Sequence, residues 1–248
     1  MSSNRPESFK AKARIVGRRT LVVDLGRPCR ILSSAPRGGG FRTARYILNH
    51  EVSANPVGWR DGDRLRRLAD PVRYLGRVAD DLGIHAPCVA LMTAVAMRHM
   101  VRVRESRDGL WVEVFCTLGL SNAVRAGEPV REPSVSFQRG AVTSRGGTIN
   151  LILVTNAGLT SSAMVGAIQV ATESKTATLL AERVRNWTGR AAATGTGTDA
   201  TAIASGEGPR LRYSGTHTRI GQMIARAVAR GVQRGLRRWR RWSRYEPR

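Results

Sequence analysis

The chain has little of what most redox, metal and nucleic-acid chemistry depends on. Its 248 residues hold three cysteines, Cys29, Cys88 and Cys116. They are odd in number, far apart and free of any Cys-x-x-Cys spacing, which excludes a disulfide framework, a thiolate zinc site and a dithiol redox motif. They read as reduced core thiols. Histidines number four, aromatic residues make up 5% of the chain, and there is no His-Glu-x-x-His pair for a catalytic metal. No apolar run approaches the roughly 20 residues of a membrane span, and residues 1–12 lack the apolar core of a secretion signal. The expectation is a cytoplasmic protein without a transmembrane segment.

Lysine is scarce too. Of the 41 basic residues 38 are arginine, the exceptions being Lys10, Lys12 and Lys175. A GC-rich genome produces that bias without selection for binding, so the formal charge of +23 does not by itself mark a nucleic-acid binder. The charge is also partly local, with nine arginines against Glu246 alone in residues 226–248. Trp239, Trp242 and Tyr245 gather in that tail instead of forming a strand platform for bases. No nucleic acid is expected as partner. A solvated helix end is the plain reading of the tail. Weak peripheral contact with an anionic membrane through its Arg and Trp side chains is the functional alternative.

Hydrophobic periodicity outlines the fold. Residues 20–25 and 29–33 read as strands around a Gly26-Arg27-Pro28 turn. Residues 101–104 and 110–115 alternate apolar and polar around Arg107-Asp108-Gly109, a hairpin signal. Residues 148–154 form a continuous apolar run, hence a buried strand, and 127–136 read as a loop. A helix is expected over 63–82, bent by Pro71. A second runs from an N-cap at Thr160 to about Val184, and its stripe is Met164, Ile168, Ala171, Lys175 and Thr178. The last covers about 219–242. Strands and helices do not alternate strictly, which argues for α+β: one domain, a mixed or mainly antiparallel sheet packed against helices, and an Arg-rich C-terminal helix. The expected boundaries are a disordered segment 1–13, a domain 14–232 and a basic helical tail 233–248.

Small polar motifs crowd residues 147–221, each bordering an apolar segment: Gly147-Thr148-Ile149-Asn150, Ala171-Thr172-Glu173-Ser174-Lys175-Thr176, Thr194-Gly195-Thr196-Gly197-Thr198-Asp199 and Gly215-Thr216-His217-Thr218-Arg219-Ile220-Gly221. Such placement lets hydroxyls, carboxylates, an amine and an imidazole converge on one pocket held by rigid backbone. Lys175 falls on the apolar stripe of its helix, where an unpaired ammonium is costly, so it needs a partner or a ligand. Glu173 stands about 200° around the helix from it and cannot pair with it while both stay helical. Glycines in 194–199 allow close backbone approach to a carbonyl or an anion. The segment lacks the Gly-Lys-Ser/Thr ending of a nucleotide loop, and neither a Gly-x-Ser-x-Gly elbow nor a metal set stands out. Amide hydrolysis could then use a carboxylate to activate water, or a threonine nucleophile among Thr148, Thr194, Thr196 and Thr198.

In this order the motifs resemble the adenosylcobinamide amidohydrolases, enzymes of corrinoid salvage. The resemblance continues upstream through Gly38-Gly39-Gly40-Phe41 with Asn49, Met92-Thr93-Ala94-Val95 and Leu118-Gly119-Leu120-Ser121-Asn122-Ala123, and covers about 18–232. Two departures stand out, Leu118 where a small residue is expected and His217 at a position where the family tolerates other residues. The resemblance implies hydrolysis of the aminopropanol amide of adenosylcobinamide to adenosylcobyric acid, with the cobalt corrinoid as substrate and no cofactor. Glu173, Asp199 and Lys175 are the catalytic candidates, Glu173 or Asp199 as general base. Asn49, Asn122, Thr148, Asn150, Thr194, Gly195, Thr196, Thr198 and His217 are the substrate-binding candidates, and no metal site is expected. The rival readings are a corrinoid carrier that binds without cutting and, further off, a basic nucleic-acid binder.

Overall fold

The computed structural model describes residues 9, 11–52, 69–129 and 147–243. Its strands are β1 (Lys12–Val16), β2 (Thr20–Ser33), β3 (Gly40–Glu51), β4 (Cys88–Thr93), β5 (Val101–Arg107), β6 (Leu110–Leu118), β7 (Ala123–Val124), β8 (Ile149–Thr155), β9 (Gly158–Leu159), β10 (Gly195–Thr196), β11 (Ala200–Ser205) and β12 (Arg210–Leu211). The α-helices among the described residues are α1 (Pro71–Asp81), α2 (Ser161–Ala181) and α3 (Arg219–Trp242).

The eight-stranded sheet runs β4-β3-β2-β11-β8-β6-β5, with β1 beside β2. It is mixed: β3 with β4 and β11 with β8 are parallel, and the remaining pairs are antiparallel. The chain is an α+β protein, as its patterning predicts.

Two strands were expected around Gly26-Arg27-Pro28, and the structure has one. β2 runs through the segment as a bulge, its pairing with β3 shifting register between Asp24 and Cys29. Gly26 sits at φ 77° and donates to the Asp24 carboxylate at 2.8 Å. Pro28, which lacks an N–H, falls where the ladder is interrupted. On the side of β2 away from β3, residues 20–24 pair with β1 and residues 30–33 with β11.

The sheet folds over on itself. Leu21, Val23, Ile47 and Leu91 from one half share a core with Trp111, Phe115, Ile152, Val154 and Ala202 from the other. The outer face of the first half, Val22, Leu48 and Ala90, packs under Leu75 and Ala79 of α1. The outer face of the second, including Val112, Val114, Leu151 and Leu153, packs under α2 and α3 through Ala163, Ala167, Val170, Ile224, Val228 and Val232. β6 and β8 lie between two cores and are buried at every position, which is why 148–154 reads as an unbroken apolar run.

Helix starts follow their caps. Thr160 accepts from Ala163 N and Thr218 from Gly221 N, each opening its helix. Pro71 does not bend a longer helix; it occupies the first turn of α1 behind the Asp70 cap, and residues 63–68 lie outside the described residues. The hairpin of β5 and β6 turns on Asp108 and Gly109, both at positive φ (49° and 77°).

The described residues nearest the termini pack into the fold. Phe9 stacks on Trp111, and β1 already pairs from Lys12. At the other end α3 runs unbroken past residue 233, burying Gly235 and Leu236. Arg238 donates to the Met100 carbonyl, Arg240 pairs with Glu182, and Trp242 stacks on His99 with ring centroids 5.1 Å apart.

Candidate functional site

Strand polarity gathers the motifs at one end of the folded sheet. β8 and β11 are parallel neighbours in register Asn150 to Ala200, so both begin there. β6 runs against β8, pairing Leu118 with Ile149, and so ends there. Across the inner core, β3 and β4 bring Asn49 and Met92 to the same place.

The start of β8 and β11 splits the polar groups between two faces. On the helix side Asp199 is the hub. One carboxylate oxygen lies 2.5 Å from Lys175 Nζ; the other accepts from Thr196 Oγ1 at 2.5 Å and from Ile149 N at 3.0 Å. The Lys175–Asp199 pair is largely buried, with side-chain exposures of 12% and 15%. This supplies the partner that the position of Lys175 on the apolar stripe demands. A Cβ on Gly195 would stand 2.9 Å from Lys175 Nζ and against the Asp199 carboxylate, so a larger residue there would have to displace the pair. Thr194 is tied into the same shell: its hydroxyl accepts from Ala126 N and its carbonyl from the Thr176 hydroxyl. β10 in turn pairs with β7, joining the Gly-Thr segment to the loop that carries Asn122.

On the inner side Thr148 Oγ1 lies 2.7 Å from the Thr198 hydroxyl, and Thr198, which is exposed, also donates to the Gly147 carbonyl. Two residues along the same strand face, Asn150 donates its amide nitrogen to Asn49 Oδ1 at 2.9 Å and to the Met92 carbonyl at 2.7 Å. Asn49 passes its own amide to Thr117 Oγ1 at 3.0 Å. The Asn122 loop closes over the entrance of β8. Gly119 N bonds the Thr148 carbonyl, and a Cβ on Gly147 would lie 2.8 Å from both the Gly119 carbonyl and Ser121 N. The side-chain oxygens of Asn122 and Asn150 are buried and have no partner among the described residues.

The structure therefore brings together Asn49, Asn122, Thr148, Asn150, Lys175, Thr194, Gly195, Thr196, Thr198 and Asp199. It does not bring Glu173 or His217 to them. Glu173 is exposed and lines a groove between α2 and α3 with Thr216, Arg226 and Gln233, on the flank of α2 away from Lys175. His217 is exposed at the start of α3, in a segment held to the first turns of α2 by Ser214 donating to the Ala163 carbonyl. Thr117 was not singled out from the sequence, and Met92 was named only as part of a motif, with no role for its carbonyl. Thr117 sits inside the continuous run of β6, and no local pattern separates it from its core neighbours.

Cys116, near the ion pair, is no rival nucleophile: burial, with the Asp199 carboxylate adding to it, pushes its thiol up to about 12. Among the described residues no three His, Cys, Asp or Glu side chains are grouped to hold a metal.

The sequence profile of the adenosylcobinamide amidohydrolases matches residues 5–244. The chain belongs to that family. Its relatives include an uncharacterised protein of Methanocaldococcus jannaschii, 31% identical over 90% of this chain and 87% of that protein. Proteins named adenosylcobinamide amidohydrolase from Methanosarcina mazei and Halobacterium salinarum are 30% and 32% identical. They cover 76% and 81% of this chain, and 81% and 77% of their own lengths. Among solved structures, a Burkholderia sp. beta-aminopeptidase aligns over 94% of this chain and 82% of its own, at 12% identity and a TM-score of 0.38, a likeness that carries no argument.

Proposed function

We propose that this adenosylcobinamide amidohydrolase family member cleaves the aminopropanol amide of adenosylcobinamide, releasing adenosylcobyric acid and aminopropanol. The observation that carries the reading is the convergence of the family's polar residues, from five separate stretches of chain, on one end of the sheet around a buried ion pair and a pair of threonine hydroxyls.

Hydrolysis adds an oxygen to the amide carbonyl carbon, breaks the C–N bond and delivers a proton to the departing amine. In this reading the carbonyl docks at the Thr148–Thr198 edge, and the attacking oxygen is the Thr148 hydroxyl or a water beside it. Asp199 takes the proton that the attacking oxygen releases by way of a bridging water, because its own oxygens bond Lys175, Thr196 and Ile149 N and not Thr148. Once its charge is neutralised, Lys175 loses its counter-ion and becomes available to the oxyanion, together with the amide of Asn122. The proton then leaves with the amine; where Thr148 attacks, a water next adds to the threonyl ester, breaks its C–O bond and releases the acid with the hydroxyl restored. Glu173 has no part, because its side chain stands on the other flank of α2. The corrinoid is substrate, and no nucleotide is required.

Incubation of the purified protein with adenosylcobinamide, with neither ATP nor NAD added, tests the proposal. Free aminopropanol supports it; binding without release leaves a carrier, and neither binding nor release leaves the reading without support. Hydroxylamine trapping and mass spectrometry then separate a threonine acyl-enzyme from direct attack by water.

A further inference from the structure

The inner side of the site holds an orphan acceptor, the side-chain oxygen of Asn150. Asn150 is fully buried, and its amide cannot be turned around: the Met92 carbonyl, 2.7 Å from the amide nitrogen, can only accept a hydrogen bond. The second hydrogen of that nitrogen goes to Asn49 Oδ1. Asn49 is held in turn through Thr117, so two side chains from β3 and β6 and a backbone carbonyl from β4 fix the orientation of the Asn150 amide on β8. The side-chain oxygen left over has no donor. A buried acceptor without a donor is costly to fold around, and here it lies on the strand face of Thr148, two residues away.

We infer that Asn150 Oδ1 is a specificity-determining acceptor that takes the N–H of the substrate's scissile amide. The inference rests on the amidohydrolase reading above and deepens it. A secondary amide presents that hydrogen. The carboxylate product does not, and its negative charge meets the carbonyl dipole end-on. The same oxygen thus favours the amide over the acid and promotes release of adenosylcobyric acid. Asn49 and Thr117 touch no substrate in this account; they are positioning residues that keep the oxygen aimed.

The test replaces one atom of the substrate. In the ester made with 1,2-propanediol, oxygen stands where the amide carries N–H. Affinities of amide and ester are compared by competition at short times, in the intact protein and in Asn150→Ala. The intact protein is expected to bind the ester about 10- to 100-fold more weakly than the amide, and Asn150→Ala to bind the two within about threefold of each other. Equal affinities in the intact protein overturn the inference whether or not the variant folds. So does undiminished discrimination in a folded variant. Aminopropanol release with equal affinities sinks the Asn150 assignment alone, whereas absence of both binding and release sinks the parent reading with it.

Discussion

At the scale of the residue, the ion pair is where sequence and structure meet most closely. A lysine on an apolar helical stripe announces that a partner must exist, and the structure supplies Asp199, 24 residues on. Breaking a buried pair leaves one charge unpaired, so Lys175→Met should lower stability by about 3–5 kcal/mol. The double variant Lys175→Met/Asp199→Asn should recover part of that loss; a double-mutant cycle in urea measures it, and strict additivity contradicts the pairing. Asp199→Asn should also reduce kcat by roughly 100-fold or more with little change in binding, while Glu173→Gln keeps near-normal turnover. Glu173 ranked beside Asp199 as a motif carboxylate, although its place about 200° around α2 from Lys175, off the apolar stripe, already set it on another flank. His50 carries a second prediction. Buried under α1 between Thr20 and Tyr74, it has its pKa lowered to about 4, by burial first and by Arg19 second. The unfolded chain takes that proton near pH 6.5 and the folded chain resists it to about 4. Its stability contribution is therefore complete above pH 6.5 and lost as pH falls toward 4, up to about 3 kcal/mol. Thermal melts of the protein and of His50→Gln should diverge in slope between those pH values; parallel curves would contradict the assignment.

At the scale of the element, caps and turns were legible where a single residue type decides the conformation. Thr160, the start of α3 and the Asp108-Gly109 hairpin all belong here. Pro71 and Pro28 were harder, because proline signals an interruption without saying which kind. One proves to be a helix start and the other a bulge inside a continuous strand. The far half of α3 is harder to read, because its charge dominates the pattern. Arginines on the outer face mask Gly235 and Leu236 on the inner, where a Cβ on Gly235 would stand 3.0 Å from Leu118 Cβ. A chain ending at Gly235 removes buried Leu236 and the Trp242 stack on His99, and should lose about 2–5 kcal/mol. Denaturant midpoints measure this, and an unchanged midpoint would show that the end of α3 is merely solvated.

At the scale of the whole molecule, the α+β class and the mixed sheet follow from the order of patterns, but the fold-over of the sheet does not. It depends on β2 bending at its bulge so that its two halves serve different neighbours, a long-range fact with no local signature. The same holds for the meeting of Asn49, Thr117 and Asn150, which are 68 and 101 residues from one another along the chain in the two bonds they share through Asn49. Charge is the other molecular property. Arg226, Arg230, Arg234, Arg237 and Arg241 recur at helical spacing along α3, while Trp242 is engaged by His99 and Trp239 packs against the helix-side core. Any attraction to anionic vesicles should thus be electrostatic alone, disappearing at about 0.5 M salt and in a variant with Arg226, Arg234, Arg237 and Arg241 changed to Ser; binding that survives salt would mean insertion. None of this bears on catalysis, which the proposed reading assigns to the Thr148–Asp199 end of the sheet. The most direct measurement is the release of aminopropanol from adenosylcobinamide by the intact protein and by Asp199→Asn. The account predicts stoichiometric aminopropanol and adenosylcobyric acid from the first and at least a hundredfold slower release from the second; intact corrinoid after long incubation, or equal rates from both proteins, would contradict it.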